Sequence, residues 1–162
     1  MEWRSVMTVA GTVGVAFTPN GLSVLQLPAA NSQRFSDVTE SDLAWLWRLQ
    51  DDLQAYFNGS PVAFSCPVDV AGYPPFFARA LAVTAAIPYG GRLTYRELAE
   101  AAGSPRGARA AGQAMAANRT PLVVPCHRVV GSSGALGGFS GGTDWKRKLL
   151  ALEAAGKSSG AS

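Results

Sequence analysis

Apolar residues gather in three short runs at the start of the chain, 6–10, 13–17 and 22–27, each bounded by turn-forming residues. The pattern predicts three strands, with Thr18-Pro19-Asn20-Gly21 as the turn between the last two. After a polar link over 29–41 the period changes from two to that of a helix. Leu46, Leu49, Leu53, Tyr56 and Phe57 recur at helical spacing, which predicts a helix over 42–57 with this stripe in the core. Asn58-Gly59-Ser60-Pro61 stops it, and residues 62–70 return to a strand pattern that makes Cys66 a small buried hydrophobe. A boundary falls at Ala71-Gly72-Tyr73-Pro74-Pro75, because proline suits the first turn of a helix and not its interior.

The second half reads as mainly helical. A helix over 76–87 is closed by Pro88-Tyr89-Gly90-Gly91, and Thr94-Tyr95-Arg96-Glu97 has the spacing of a capping box, starting a helix at Thr94 that runs to Ala102. Gly103-Ser104-Pro105 breaks the pattern before another helix over 106–117. Two short helices about such a turn form a candidate helix-turn-helix. Gly107, Ala108, Ala110, Ala111, Gly112, Ala114, Ala116 and Ala117 leave the second helix almost without long side chains. Such a helix permits close approach, either to a partner surface or within the core. The run 122–124 reads as a short buried strand, and 145–153 as an amphipathic segment. The fold class is α/β (α+β).

At 162 residues the chain holds one ordinary domain or two small ones sharing a core. No apolar run approaches the ~20 residues of a membrane helix. The stretch 1–17 has Arg4 ahead of mostly apolar residues, but Glu2, two glycines, two threonines and no leucine fit a hairpin better than a signal peptide. Cys66 and Cys126 lie far apart with no CxxC, so neither a disulfide framework nor a zinc cluster is expected, and a reducing cytoplasm is. Charge is divided unevenly. Residues 1–74 carry three basic side chains against seven acidic, whereas 75–162 carry eleven against four. A basic half attached to an acidic one fits a nucleic-acid-binding region with a non-binding partner, and equally a solvated basic face.

Chemistry concentrates at Pro125-Cys126-His127-Arg128-Val129, which sets one of two cysteines beside the only histidine. A neighbouring imidazole raises the thiolate fraction of a thiol whose ordinary pKa is ~8.5. The pair alone fits either a nucleophile with its base or a structural cysteine beside a surface histidine. Adjacent side chains of an extended chain point to opposite faces, so a local turn or a water must bring the two into contact.

The stretch from Tyr95 through Arg109, with Asn118, Pro125-Cys126-His127-Arg128-Val129, Ser132-Ser133-Gly134 and Ser140-Gly141-Gly142, resembles the O6-alkylguanine-DNA alkyltransferases over roughly residues 73–153. The resemblance implies a small RNase H-like sheet-plus-helix domain over 1–72, a DNA-binding and alkyl-transfer domain over 73–155, and a tail over 156–162 whose Ser/Gly composition reads as disordered. It implies direct-reversal repair: O6-alkylguanine is rotated out of duplex DNA and its alkyl group passes irreversibly to Cys126. His127 would deprotonate Cys126 through a water, and Glu153, otherwise an unremarkable surface glutamate, would orient the imidazole. Tyr95 would protonate a ring nitrogen of the departing guanine, and Asn118 would tie the recognition helix to the active-site strand.

By the same resemblance, the helix carrying Ala108, Arg109, Ala110, Ala111 and Gly112 enters the minor groove, with Arg109 replacing the flipped base and Thr94, Tyr95 and Arg128 also meeting DNA. Met115, Val129, Phe139 and Ser140 would line the alkyl pocket. No cofactor and no metal are expected; the structural zinc of some relatives has no ligands here, since residues 1–74 hold one cysteine and no histidine. The partner expected from the resemblance is double-stranded DNA bearing O6-alkylguanine, read with little sequence specificity; a monomer is expected, with cooperative assembly on DNA left open, and no membrane partner is expected. Ala80-Leu81, Ala116-Ala117 and Phe139 depart from residues common among relatives. A Cys-His-Glu hydrolase and a non-catalytic binder of alkylated DNA use the same residues and remain as rivals.

Overall fold

The computed structural model describes residues 1–134 and 142–160, the last four in backbone alone. Strands β1 (Glu2–Thr8), β2 (Gly11–Thr18) and β3 (Gly21–Gln26) form an antiparallel sheet in the order β1-β2-β3. Val6 pairs with Val13 and Val15 with Leu25, which turns one apolar face inward. The turn expected at 18–21 forms: Thr18 pairs with Gly21, whose φ of 130° and close approach to Pro67 both exclude a side chain. β1 starts four residues before the predicted strand because Trp3 stacks on Phe35 at 4.8 Å and Arg4 bonds Asp42 at 2.9 Å, partners that the local apolar pattern does not contain.

Helix α1 (Ala44–Phe57) buries the anticipated stripe of Leu46, Leu49, Leu53, Tyr56 and Phe57. Residues 62–70 do not form the strand that the pattern predicts. They make one parallel bridge to β3, through Leu22 N–H to the Pro67 carbonyl and Asp69 N–H to the Leu22 carbonyl, each 2.8 Å. Pro61 and Pro67 lack the donors that a longer ladder requires.

Helix α2 (Pro75–Ala85) begins at proline, and β4 (Leu93–Thr94) leads directly into α3 (Tyr95–Ala101). The capping box at the start of α3 is complete: the Glu97 N–H donates to Thr94 Oγ1, and the Thr94 N–H donates to Glu97 Oε1. Helix α4 (Ala108–Ala116) follows and buries Ala111, Ala114 and Met115. Residues 122–124 turn instead of extending. Leu122 takes a φ of 73°, and the chain winds into a 3-10 turn at Cys126–Arg128 before β5 (Val129–Val130) pairs in parallel with β4.

Helix α5 (Thr143–Gly160) continues through 156–160, where composition predicts disorder. Gly156 explains the docking: a Cβ there would run into the Tyr89 hydroxyl and come within 2.7 Å of the Gly59 carbonyl oxygen. One hydrophobic core runs from Val6 in β1 to Leu149 in α5.

Candidate active site

The parallel bridge between β4 and β5 aligns Leu93 with Val129 and Thr94 with Val130, so the start of α3 is clipped to the turn that carries Cys126. That turn is closed by the Cys126 N–H to the Val124 carbonyl at 2.8 Å and the Arg128 N–H to the Pro125 carbonyl at 2.9 Å. Cys126 is fully buried, and its Sγ accepts from Asn118 Nδ2 at 3.1 Å. The same Nδ2 donates to the Val124 carbonyl at 2.9 Å, while Asn118 Oδ1 accepts from the Thr120 N–H at 3.1 Å. Asn118 therefore joins the end of α4 to the cysteine turn, a turn standing where a strand was expected.

Behind Cys126 lies a buried charge network centred on Glu153, which is 2% exposed. His127 Nε2 bonds Glu153 Oε2. Arg128 grips both carboxylate oxygens, Nε on Oε1 at 2.9 Å and Nη2 on Oε2 at 3.0 Å, and its Nη1 donates to the Ile87 carbonyl at 2.7 Å. The Tyr56 hydroxyl adds a bond to Oε2 at 2.7 Å and the Gly90 N–H one to Oε1 at 3.0 Å. Burial opposes the charge on Glu153, but these donors outweigh it and hold the carboxyl well below the usual range. Burial pushes His127 down against the pull of Glu153. Because Arg128 supplies the compensating cation, the imidazole sits there neutral. Its Nε2 then carries the proton given to Glu153, and its buried Nδ1, which meets no hydrogen-bond partner among the described residues, keeps the basic lone pair.

On the other side stands a residue that the sequence reading missed. Lys146 on α5 is fully buried, with Nζ 2.6 Å from the Val129 carbonyl oxygen and 3.2 Å from the Tyr95 hydroxyl. Burial lowers its pKa to about 8, against the opposing pull of Cys126. Tyr95 is pushed up, by burial first and by the charge of Cys126 second, so it keeps its proton. The signal was present: Lys146, Leu149, Leu150 and Glu153 lie at i, i+3, i+4 and i+7, one helical face with a cation at one end and a carboxylate at the other.

The residues expected to meet DNA divide. On α4, Arg109 is exposed, Ala108, Ala110 and Gly112 are half-buried, and Gln113, not anticipated, is exposed one turn beyond Arg109. Ala111 is corrected to the core, since the helix turns its side chain inward at 0% exposure. Arg128 is corrected as well: at 5% exposure its guanidinium is taken up by Glu153 and the Ile87 carbonyl. Thr94 commits its hydroxyl to capping α3. Arg119 lies 4.1 Å over the Tyr73 ring and donates to the Asp69 and Ala71 carbonyls. Met115 and Val129 are buried, whereas Phe139 and Ser140 lie outside the described residues. Among the described residues no group of three or more His, Cys, Asp or Glu could hold a metal ion, and no helix is long and apolar enough to cross a membrane.

A family model described as 6-O-methylguanine DNA methyltransferase, DNA binding domain, matches residues 75–155. A methylated-DNA–protein-cysteine methyltransferase of Mycolicibacterium paratuberculosis is 46% identical over 103 residues, a stretch covering 64% of this chain and 62% of that relative. The chain thus spans less than two thirds of that relative's length. A protein of the same name from Methanothermobacter thermautotrophicus is 36% identical over 143 residues, covering 87% of this chain and 78% of the relative. Among solved structures, Mycobacterium tuberculosis OGT in complex with DNA superposes with a TM-score of 0.78 at 32% identity, covering 96% of this chain and 94% of that one.

Proposed function

The chain belongs to the 6-O-methylguanine DNA methyltransferases, and from that membership we propose that it repairs alkylated DNA by moving the alkyl group of O6-alkylguanine onto Cys126. The observation that carries the reading is the placement of Cys126 between a His127–Glu153 pair and a Tyr95–Lys146 pair, all buried or half-buried around one turn. A base chain on one side and a proton-donor chain on the other is what displacement at a saturated carbon with a poor leaving group requires.

His127 Nδ1 takes the thiol proton of Cys126 through a water. The thiolate attacks the alkyl carbon; the C–S bond forms as the bond from carbon to O6 breaks, and the electron pair stays with guanine. Tyr95 gives its proton to a ring nitrogen of that guanine, and the Lys146 ammonium beside it stabilises the phenolate left behind. The product is a thioether with no hydrolytic exit, so each molecule reacts once. A base inside a duplex is out of reach of a buried thiol, so the lesion is flipped, at a cost of a few kcal/mol. Helix α4 lies in the minor groove, its small residues allow close approach, and Arg109 fills the gap in the stack. Residues 73–155 form the unit that binds DNA and reacts, 1–72 pack behind it, and the protein works as a monomer.

The test is a single-turnover assay on a duplex with one O6-methylguanine, comparing wild type with Cys126→Ser. Restoration of guanine by wild type alone is the expected result. Lesion-selective binding by both proteins with no restoration would replace repair by recognition without chemistry.

A further inference from the structure

Tyr56 lies in α1, far from every residue that the sequence assigns to the site, yet its hydroxyl reaches Glu153 across 97 positions of chain. It is fully buried, with its ring packed edge-on against Phe57 and Tyr89 and tilted against Phe64. We propose that Tyr56 is a positioning residue for alkyl transfer: its hydrogen bond to Glu153 Oε2 lets the N-terminal half set the orientation and basicity of the carboxylate that holds His127. The inference rests on the alkyl-transfer reading of Cys126.

The five donors that Glu153 meets among the described residues are not equivalent. Arg128 Nε and the Gly90 N–H sit on Oε1, whereas His127, Arg128 Nη2 and Tyr56 share Oε2. The bidentate Arg128 fixes the plane of the carboxylate. Tyr56 acts differently, because it draws on the same oxygen to which His127 donates. Each share of electron density given to the phenol is withheld from the imidazole, which weakens the pull that would raise the affinity of His127 for a proton. The packing role alone would be filled by phenylalanine, without the cost of burying a hydroxyl. Burial first, and Glu153 second, raise the Tyr56 pKa far above its ordinary value, so the phenol donates at every working pH. The other ionisable groups around this carboxylate are Tyr89 ahead of β4 and His127 and Arg128 in the 3-10 turn, and Lys146 on α5 acts on His127.

The test is the rate of methyl transfer from an O6-methylguanine duplex against pH, with thermal unfolding measured in parallel. In Tyr56→Phe the carboxylate pulls harder on His127, so the imidazole stays protonated to higher pH. The acid limb of the profile should move up by about half a unit to one unit, and the rate on that limb should fall about three- to tenfold. Placing 3,5-difluorotyrosine at position 56 keeps the shape and strengthens the donor, and should move the limb down. Phe64→Leu, which loosens the same packing without touching Glu153, should lower the unfolding temperature and leave the limb in place. Opposite displacements by the two Tyr56 variants support the proposal. An unmoved limb in both, with or without lost stability, or a wild-type profile with no acid limb, overturns it. Absence of methyl transfer in wild type is a separate result, which removes the alkyl-transfer reading itself.

Discussion

Arg128 carries a charge that its place in a basic half directs toward DNA and that the folded chain directs to Glu153. The adjacent Cys126 and His127 were legible as chemistry because both types are scarce and contiguous. Arg128 was misjudged because its partner lies 25 residues away. Removing the cation with Arg128→Met leaves a buried carboxylate without its counter-charge, and stability should fall by about 3–5 kcal/mol in urea denaturation. A change below about 1 kcal/mol would mean that the carboxylate is not held ionised. Gly156 sets two effects against each other. Alanine in mid-helix is better than glycine by about 1 kcal/mol, but its Cβ collides with Tyr89 and Gly59, so Gly156→Ala should destabilise by about 1–3 kcal/mol. A stabilising outcome in the same assay would show that α5 can shift away from both.

Elements that depend on local signals were legible from the sequence; those that depend on distant partners were not. The capping box of α3 lies within one turn of chain and the stripe of α1 repeats every three or four residues, and both appear where the pattern puts them. Residues 62–70 have the alternation of a strand, but prolines at 61 and 67 limit them to a single bridge, and 122–124 turn because Leu122 takes a left-handed conformation that no apolar run signals. Helix α4 was legible as a helix of small residues, but its inward and outward faces were not separated until packing placed Ala111 and Met115 in the core. The outward face makes its own prediction. Arg109→Ala should weaken binding to a lesion-bearing duplex about tenfold and reduce the salt dependence by about one phosphate contact, read from affinities at several salt concentrations. An unchanged affinity at every salt concentration would take Arg109 out of the interface.

For the whole molecule, the acidic first half and the basic second half share one core, and Tyr56 joins them at Glu153. The charges buried there set how stability responds to pH. His127 and Glu153 both have folded pKa values below their unfolded ones. The unfolded chain therefore takes up protons first as pH falls, and stability is greatest above the unfolded histidine value of about 6.5. It should decline below that point and decline further once pH passes about 4.3, where unfolded glutamate protonates. Urea midpoints between about pH 2 and 8 would read both declines, and Glu153→Gln should remove the lower one. The most direct measurement is intact-protein mass spectrometry, with peptide mapping, after incubation with a duplex carrying one O6-methylguanine. The chemistry derived from Cys126, His127, Glu153, Tyr95 and Lys146 predicts one methyl group, on Cys126, saturating at one per molecule. An unmodified Cys126 in a protein that still binds the lesion, or repeated turnover without modification, would contradict it.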